Sequence, residues 1–514
     1  MGAYAMSLPQ TPQDVLALDK RPDRDRIEAT ARRLRAICLS QKRPADALSA
    51  AGVYARYCTT NIPSWLEDVA LEEALYARFC SSNEVRSRFE GAAFVATALH
   101  DVGGHSKWGL AFLKALAAAG RPPSVVITST ISKTIRQQVE ALGVEVFVPD
   151  RWDDLLSMDV SGELYLCIAN DDIVSALLAQ RMAAAGRRII FCNHTDHTFS
   201  LGAARTRELI EVSGFGYELS QRGRTFTAQS FAGIPIKVEQ SERGSERSPA
   251  SDRREEFRLL TIGRSGKLKP SMRHNFADFA VWVVRNLSDS YLIIGRTGLE
   301  RWWGDRLKDT RIDRRPVMGW DEIETLLPGI DAYIDSFPLT GGTVLSEIAL
   351  TGLPIFGIKD IPRGWSAADS VMSEDVEHLQ ETLLAFRQEG QLPYDPAALR
   401  QLVVKEHSQE VFESRVRAFL LGDPVPLPEW ARQSTEAIDS FREVLAASEF
   451  AAIRFEDGSL ALRIKHFSVL ARKQMIANQN HLRAAIKGLI GLENWSARTA
   501  QKTAKSRLPK SSAG

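Results

Sequence analysis

Cysteine is scarce in this sequence of 514 residues, and the five cysteines are odd in number and widely separated. None of them belongs to a C-x-x-C pair, so their spacing favours neither a framework of disulfide bonds nor a cysteine-rich metal site. Unpaired cysteines are typical of a reducing compartment, and we therefore expect a cytoplasmic protein.

A strong charge imbalance and long hydrophobic runs are missing as well. The 65 basic and 64 acidic side chains leave a formal net charge of +1, which gives no electrostatic reason to expect nucleic-acid binding. No apolar run approaches the roughly 20 residues that cross a bilayer, and the first residues lack the basic-then-apolar pattern of a signal peptide. We expect no transmembrane segment, while peripheral contact with a membrane stays open.

What the sequence does contain is typical of a large globular protein, with 44% apolar and 25% charged residues. Residues 11–89 are rich in helix-forming residues and lack strand-like alternation. From Gly91, short apolar runs alternate with amphipathic stretches, and this alternation is typical of an α/β sheet. A second alternating region begins at Arg258, after a charged, serine-rich segment over Lys237–Phe257.

This organisation predicts six parts. They are a helical N-terminal region (1–90), a first α/β domain (91–236), a linker (237–257), a second α/β domain (258–425), a C-terminal helical region (426–500) and a disordered basic tail (501–514). The strands predicted for the first domain are Ala92–Leu99, Ser124–Thr128, Val144–Val148, Leu164–Ala169 and Arg188–Cys192. Those predicted for the second are Leu259–Ile262, Tyr291–Ile294, Pro316–Gly319, Ala332–Asp335 and Ile355–Ile358. Helices are predicted over Met272–Asn286, Asp321–Leu327, His378–Arg387, Ala397–Arg417 and Phe441–Leu492.

The stretch DAYIDSFPLTGGTVLSEIALTGLPIFGIKD, residues 331–360, is the most informative part of the chain. It predicts a strand, a glycine-containing loop, a helix capped by Thr343 and a second, parallel strand reached by a right-handed crossover. Gly341 and Gly342 let the backbone approach a ligand, and the free N–H groups at the helix start favour an anion such as a diphosphate. Glu347, one turn further on, can accept hydrogen bonds from ribose hydroxyls. The alternative is an ordinary βαβ unit with a glycine turn.

The loop HDVGGHSKWG follows the first predicted strand and lacks the G-x-G-x-x-G fingerprint of dinucleotide-binding folds. Ser106 is predicted to cap the next helix, which places His105 at a helix N-terminus, where the dipole lowers the pKa of the imidazole. A neutral imidazole at pH 7 is what a general base requires. The alternative is that His105 only closes a glycine turn.

A second histidine-containing loop, CNHTDHTFSLG, follows the strand predicted over Arg188–Cys192. His194, Asp196 and His197 therefore meet at the carboxyl end of a strand, where binding sites form in open α/β sheets. Recognition of a sugar or an acceptor is the preferred interpretation. A zinc site would need a further Cys or His at the usual ligand spacing, which is missing nearby, and an Asp–His network within the loop is the other alternative.

Basic residues follow the first predicted strand of the second domain, in the segment GRSGKLKP. Lys267, with Lys269 and Arg264 close to it, is predicted to face the same sheet edge as Gly341 and Thr343, where these cations can bind an anion. The alternative is that these basic side chains are only solvated. The spacing is not that of a Walker A loop. No D-x-D pair lies at a predicted strand end, so neither a metal nor a cofactor is predicted.

Two of these segments resemble the O-GlcNAc transferase family and its bacterial protein-glycosyltransferase relatives, which are GT-B glycosyltransferases. The arrangement D-x-x-x-x-x-G-G-T…E…G-x-P in residues 335–354 carries the resemblance, together with the D-x-G-x-H loop of Asp101, Gly103 and His105. The similar region covers roughly residues 91–362. The resemblance implies an α/β fold of two Rossmann-like domains (GT-B), here with helical N-terminal and C-terminal extensions, and it places Asp101 on the acceptor side.

The same resemblance implies roles for individual residues. Gly342 and Thr343 would contact the diphosphate of a nucleotide sugar, and Glu347 would contact its ribose. Lys267 would hold the diphosphate as it leaves, and His105 would act as the base or in an acceptor-side role.

The predicted function is therefore that of a hexosyl- or N-acetylhexosaminyltransferase. It would move a sugar from a UDP-linked donor to a protein, glycan or lipid acceptor, without a metal and with inversion of the anomeric carbon. Two alternatives share the fold and the donor site, since fold alone does not determine function. A sugar-nucleotide epimerase would turn over the donor alone, and a non-catalytic nucleotide-sugar-binding scaffold would bind the donor without releasing the nucleotide.

Overall fold

The computed structural model describes residues 24–80, 84–101, 103–238, 256–271, 273–296, 301–433 and 438. Most of the predicted linker, the helix predicted over Phe441–Leu492 and the predicted tail over 501–514 lie outside these residues. Within the described ranges, none of the helices combines the length and the apolar character that a membrane crossing requires.

The first described part of the chain is helical. Its helices are α1 (Arg24–Ser40), α2 (Pro44–Asn61) and α3 (Val69–Phe79). The Asp68 side chain caps α3 by accepting a hydrogen bond from the Leu71 amide. The helical prediction extends too far, because Ser87–Phe89 forms strand β1 and pairs with β5 (Met158–Val160) in a separate two-stranded sheet. Strands of three residues are too short to produce a visible alternation.

The first α/β domain is built on a seven-stranded parallel sheet in the order β4-β3-β2-β6-β7-β8-β9. Its strands are β2 (Ala93–Leu99), β3 (Ser124–Ile131), β4 (Val146–Phe147), β6 (Leu164–Cys167), β7 (Ile189–Asn193), β8 (Arg207–Glu211) and β9 (Ala228–Phe231). Its helices are α4 (Gly104–Ala118), α5 (Lys133–Glu140), α6 (Trp152–Leu156), α7 (Ile173–Ala184) and α8 (Gly214–Gly223). Apolar cores cover both faces of this sheet, which is why its central strands are continuous apolar runs.

Strands β8 and β9 were not predicted, because buried polar residues interrupt their apolar pattern. Arg207 is fully buried and forms an ion pair with Glu67 of the helical region. Glu211 is also fully buried and accepts hydrogen bonds from Asn193 at 2.7 Å and from Gln229 at 3.0 Å. Each of these polar groups has a partner, which makes its burial tolerable.

The second α/β domain has a five-stranded parallel sheet in the order β12-β11-β10-β13-β14. Its strands are β10 (Arg258–Ile262), β11 (Ser290–Arg296), β12 (Ile312–Pro316), β13 (Ala332–Ile334) and β14 (Ile355–Phe356). Its helices are α9 (Phe276–Asn286), α10 (Trp320–Leu326), α11 (Thr343–Leu350) and α12 (Val376–Glu389). The strand predicted over Pro316–Gly319 is wrong, because the observed strand, β12, ends at Pro316. This strand lies at the edge of the sheet, and its charged residues, such as Asp313 and Arg315, interrupt the apolar pattern.

The chain returns to the first domain through two consecutive helices, α13 (Pro396–His407) and α14 (Gln409–Leu420). Helix α13 packs on the second domain, whereas Phe412 and Val416 of α14 belong to the core of the first domain. The single helix predicted over Ala397–Arg417 is wrong, because Ser408 is extended and its hydroxyl caps α14. The two domains are therefore joined at this helix junction as well as at the linker.

Both sheets reverse their strand order once. The order changes direction between β2 and β6 in the first sheet and between β10 and β13 in the second. Two parallel sheets with helical crossovers confirm the predicted α/β fold of two Rossmann-like domains. Ligands of such sheets bind beyond the carboxyl ends of the strands at the reversal point. The loops after β2, β10 and β13, which lie there, carry predicted site residues, and so does the loop after β7, two strands away from β2.

Candidate functional site

The loops at the two reversal points face each other. Helix α4 begins at Gly104, after β2, and α11 begins at Thr343, after β13. A Cβ atom placed on Gly104 would lie 3.7 Å from Oγ1 of Thr343, and Nζ of Lys107 lies 2.8 Å from Oε1 of Glu347. The N-termini of two helices therefore meet at the domain interface, each with the positive end of a helix dipole.

The buried carboxylate of Asp335 holds the loop before α11 in place. It accepts hydrogen bonds from the Gly341 amide at 2.8 Å and from the Thr340 hydroxyl at 2.7 Å. A Cβ atom on Gly341 would lie 2.7 Å from Oδ1 of Asp335, so this position requires glycine. The prediction that Thr343 caps the helix is wrong, because Gly342, with φ of +61°, is the N-cap and Thr343 is the first helical residue.

A buried arginine from the next loop completes this network. Nη1 of Arg363 donates to Asp335, to the Thr340 hydroxyl at 3.0 Å and to Asp369 at 3.0 Å. Burial disfavours the guanidinium charge, but the carboxylates of Asp335 and Asp369 outweigh burial and raise the pKa of Arg363. The loop that leads into α11 is therefore tied to a fully paired set of buried charges.

Lys267 lies beside the same loop. It belongs to a short 3-10 helix over Ser265–Leu268, after β10, and its Nζ donates a hydrogen bond to the Thr340 carbonyl at 2.5 Å. Arg264 is exposed, and Lys269 is half-buried at the other end of the short helix. The structure thus brings the ammonium of Lys267 to the start of α11, with two further cations in the same segment.

His105 is the second residue of α4, after the N-cap Gly103. The prediction that Ser106 caps this helix is wrong, since its hydroxyl lies in the first turn and accepts a hydrogen bond from the His100 amide at 2.7 Å. The pKa of His105 is lowered, which is the predicted direction, but the largest cause is burial and not the helix dipole from which the direction was predicted. Nε2 lies 3.0 Å from the Ala98 carbonyl, so Nε2 carries the proton and Nδ1 keeps its lone pair.

His194 packs against His105, with the ring centroids 3.9 Å apart. Between them lies Cys167 at the end of β6, whose Sγ is 3.8 Å from Nδ1 of each ring. The Nδ1 atom of His194 also lies 3.2 Å from the carbonyl oxygen of Cys192. Burial lowers the pKa of His194 and raises the pKa of the Cys167 thiol, so both imidazoles are neutral and the thiol is protonated at neutral pH.

The structure separates His194 from the other two predicted residues of its loop. Asp196 is buried and accepts a hydrogen bond from the Ser213 hydroxyl. Nδ1 of His197 lies 2.9 Å from Oδ1 of Asp196, which is the Asp–His contact that the alternative interpretation anticipates. The His197 ring also lies 6.4 Å from that of Trp365, centroid to centroid, and this tryptophan belongs to the second domain.

Asp101 is exposed, and its carboxylate accepts a hydrogen bond from the Ser132 hydroxyl at 2.7 Å. Ser132 is the N-cap of α5, so Asp101 ties the loop after β2 to the loop after β3. This contact orders the sheet edge near His105 and does not itself reach the second domain.

Several residues at this interface were not singled out from the sequence. Asp335 ends a predicted strand and opens the glycine motif, which is a local signal of importance. Lys107, Cys167, Arg363 and Trp365 have no such signal, because their partners are distant in the sequence.

The fold and the site together define a two-domain α/β protein whose interface gathers helix N-termini and basic side chains. No family model matches the sequence, and a search of curated protein sequences finds no match.

Among solved structures, HepE of Anabaena in complex with UDP and glucose aligns over 66% of this chain and 100% of its own, with 11% identity and a TM-score of 0.44. A mutant O-GlcNAc transferase of Thermobaculum terrenum aligns over 85% of this chain and 81% of its own, with 13% identity and a TM-score of 0.40. The pneumococcal O-GlcNAc transferase GtfA with UDP and GlcNAc aligns over 65% and 99%, with 12% identity and a TM-score of 0.41. At such low identities and TM-scores these likenesses carry no functional conclusion, which depends on the site itself.

Proposed function

We propose that this protein is a glycosyltransferase that moves a hexosyl or N-acetylhexosaminyl group from a UDP-linked sugar to a protein, glycan or lipid acceptor. The observation that carries the proposal is the meeting of two helix N-termini, at Gly104 and Thr343, with the ammonium of Lys267 beside them. Converging N–H groups and an ammonium suit a diphosphate. The motif in residues 335–354 supports a nucleotide sugar as its source.

In this mechanism the protein's own groups stabilise the leaving diphosphate. Negative charge builds on the diphosphate oxygen as its bond to the anomeric carbon breaks, and the sugar gains oxocarbenium character. We assign Lys267 and the amides of Gly342 and Thr343 to that charge, without a bound metal. The Gly342 amide, which donates to the Thr340 hydroxyl at 3.2 Å, would exchange this bond for one to the diphosphate. The buried Asp335–Arg363 pair keeps the loop in position, so little reorganisation is needed during the reaction.

Glu347 is the proposed partner of the ribose hydroxyls. Its carboxylate now pairs with Lys107, whose side chain is 53% exposed, while that of Glu347 is 17% exposed. An ammonium with this much access to water turns outward at little cost. Ribose hydroxyls then replace it as hydrogen-bond donors to the carboxylate.

His105 is the proposed base, acting through Nδ1 because the Ala98 carbonyl engages Nε2. The acceptor hydroxyl passes its proton to Nδ1 while its oxygen bonds to the anomeric carbon. The bond from that carbon to the diphosphate breaks with its electron pair on the diphosphate, and attack from the opposite face inverts the configuration. His194 and His197 are the next candidates if His105 does not fill this role.

A donor screen with and without acceptors tests the proposal. The purified protein is incubated with UDP- and GDP-linked sugars, alone and with an extract of host glycoproteins and glycolipids, and nucleotide release and product mass are followed. We expect nucleotide release that depends on acceptor, with a sugar mass added to the acceptor. Conversion of the donor sugar without acceptor would instead identify an epimerase, and nucleotide binding without turnover would identify a scaffold. A protein that binds none of these nucleotides would overturn the proposal.

A further inference from the structure

Three residues with metal-ligating side chains meet in a cluster that includes His105, the proposed base. His105 belongs to the first turn of α4, Cys167 ends β6, and His194 follows β7. One donor atom from each residue lies within 4.8 Å of the donor atoms of the other two. The ligands come from three separate crossover units, so the parallel sheet, and not a local motif, assembles the set.

One pair of donor atoms already has nearly the spacing of a tetrahedral metal site. Zinc binds thiolate at about 2.3 Å and imidazole at about 2.0–2.1 Å, which puts bound sulfur and nitrogen about 3.6 Å apart in a tetrahedral site. The Sγ atom of Cys167 lies 3.8 Å from Nδ1 of His105. A shift of a few tenths of an ångström therefore closes this pair, and the donor atom of His194 lies within 4.8 Å of both of its members.

Both histidines already have the outer contacts that metal-bound imidazoles use. A ligating imidazole usually donates its other N–H to a carbonyl or carboxylate, which orients the ring. The Ala98 carbonyl lies 3.0 Å from Nε2 of His105, and the Cys192 carbonyl lies 3.2 Å from Nδ1 of His194. These contacts leave Nδ1 of His105 and Nε2 of His194 with lone pairs.

We propose that His105, Cys167 and His194 form a zinc site with three protein ligands and an open fourth position. Cys167 is fully buried, whereas both histidines are only partly buried. Two imidazoles and one thiolate are the nitrogen and sulfur donors that zinc prefers. Zinc binding displaces the thiol proton of Cys167 to solvent and involves no change in oxidation state.

A consequence for the reaction rests on the proposed function. Bound zinc takes the lone pair on Nδ1 of His105, which is the atom assigned to accept the acceptor proton. Zinc occupancy therefore inhibits transfer without changing the diphosphate contacts at Lys267 and Thr343. Metal binding itself is measured without reference to transfer, so a failure of the proposed function leaves the zinc site testable.

The binding experiment uses the full chain, stripped of metal and kept under reducing conditions. Zinc stoichiometry is measured by elemental analysis after addition of zinc and removal of excess, and cobalt serves as a spectroscopic substitute. We expect one zinc per chain and a sulfur-to-cobalt charge-transfer band. Cys167→Ser abolishes the band, and Cys167→Ser and His194→Gln each weaken zinc binding by more than the roughly 10–100-fold that loss of an outer-shell partner costs.

Cys58→Ser is the matched control, because Cys58 is also buried but lies in α2 and outside the cluster. This variant should bind zinc and cobalt like the wild type. Thermal melting of each metal-free variant shows which of them fold, and His194→Gln decides the question if Cys167→Ser does not fold. Less than one zinc per chain at saturation, or binding that survives both cluster variants, would overturn the proposal. In the transfer assay, the ratio of rates without and with zinc should fall towards one in the cluster variants.

Discussion

At the scale of single residues, two ion pairs beside the Thr340–Thr343 loop differ in their access to water. Asp335 and Arg363 are 0% and 4% exposed, so loss of either partner leaves a buried charge and costs about 3–5 kcal/mol. The partly exposed pair of Lys107 and Glu347 contributes only about 0–1 kcal/mol. The buried pair therefore defines the loop, while the outer pair can open when a ligand arrives.

The first prediction concerns Glu347. Glu347→Ala should weaken binding of UDP by about 1–3 kcal/mol, the usual effect of losing a charge-assisted hydrogen bond. Titration calorimetry with UDP and GDP measures the change. Lys107→Ala is the control, since it removes the ion pair and leaves the carboxylate free for ribose. Equal weakening by both variants, or no weakening by Glu347→Ala, would remove Glu347 from the nucleotide site.

The second prediction separates the leaving-group chemistry from the acceptor chemistry. Lys267→Ala should lower kcat by roughly 10²–10³, as for the loss of one preorganised charge-stabilising group. His105→Ala should lower transfer by roughly 10²–10⁴ and leave UDP affinity almost unchanged, because UDP does not reach the acceptor proton. Rates of transfer and UDP affinities of both variants are measured side by side.

Lys269→Ala serves as the control for Lys267, two residues away in the same segment. A silent Lys267→Ala with an impaired Lys269→Ala would show that the other lysine meets the diphosphate. If His105→Ala transfers sugar at the wild-type rate, His105 is not the base, and His194 or His197 becomes the candidate. If neither Lys267→Ala nor His105→Ala affects turnover, the proposed mechanism fails at both ends.

At the scale of elements, the junction of α13 and α14 connects the two domains. His407, the last residue of α13, is 1% exposed and accepts a hydrogen bond from the Ala367 amide through Nε2 at 2.9 Å. Its Nδ1 lies 2.9 Å from the Ile234 carbonyl of the first domain. Because one nitrogen accepts and the other donates, this position requires a neutral imidazole.

The third prediction follows from that requirement. Burial lowers the pKa of His407 to about 4, with the nearby charge of Arg415 adding to the shift and the Ile234 carbonyl and Glu406 opposing it. In the unfolded chain His407 takes up a proton below pH of about 6.5. Protonation of His407 therefore stabilises the unfolded state as the pH falls from about 6.5 to about 4. This protonation should lower the free energy of unfolding by about 2 kcal/mol at pH 5.

Urea denaturation at pH 7 and pH 5 measures this loss of stability. The loss should be smaller in His407→Gln than in the wild type, whatever the stability of that variant at pH 7. His378→Gln is the control, because His378 is exposed on α12. An unchanged pH dependence in His407→Gln would show that other groups cause the acid sensitivity.

At the scale of the whole molecule, the site exists only where the two domains meet. Each sheet reverses its strand order once, and the loops at both reversal points carry the residues assigned to the diphosphate and to the acceptor. A backbone hydrogen bond of 2.7 Å from Gly214 to Gly364 joins the two domains close to His197 and Trp365. Neither domain alone contains both the residues assigned to the diphosphate and the residues assigned to the acceptor.

The fourth prediction concerns the metal dependence of the proposed transfer. In the proposed mechanism Lys267 and the N-terminus of α11 stabilise the charge of the diphosphate in place of a metal. Transfer should therefore continue at full rate in EDTA. Added zinc should inhibit, and EDTA should relieve that inhibition. Transfer rates before and after metal removal provide the measurement, with dialysis in EDTA-free buffer as the control. A complete loss of transfer that added metal restores would contradict this mechanism and make the His105–Cys167–His194 cluster a catalytic metal site.

Much of the fold could be predicted from the sequence because its signals are local. Alternating apolar and amphipathic segments identified all five strands of the first domain that carry an apolar pattern, and the motif in residues 335–354 located the loop before α11. Strands β8 and β12 were missed or misplaced, because buried Arg207 or edge residues such as Asp313 break the apolar pattern. Both helix caps were assigned to the wrong residue, since the backbone angles of Gly103 and Gly342 leave no trace in the pattern.

The sequence by itself determined the α/β class, the two sheets and the loops at the carboxyl ends of their strands, because strand and helix periodicities are properties of neighbouring residues. Only the tertiary structure decided which loops meet. Lys107 and Glu347 are 240 residues apart. His105, Cys167 and His194 lie at the ends of three different strands and meet in one cluster. Contacts of this kind depend on how the two sheets twist and pack, and no local spacing encodes them.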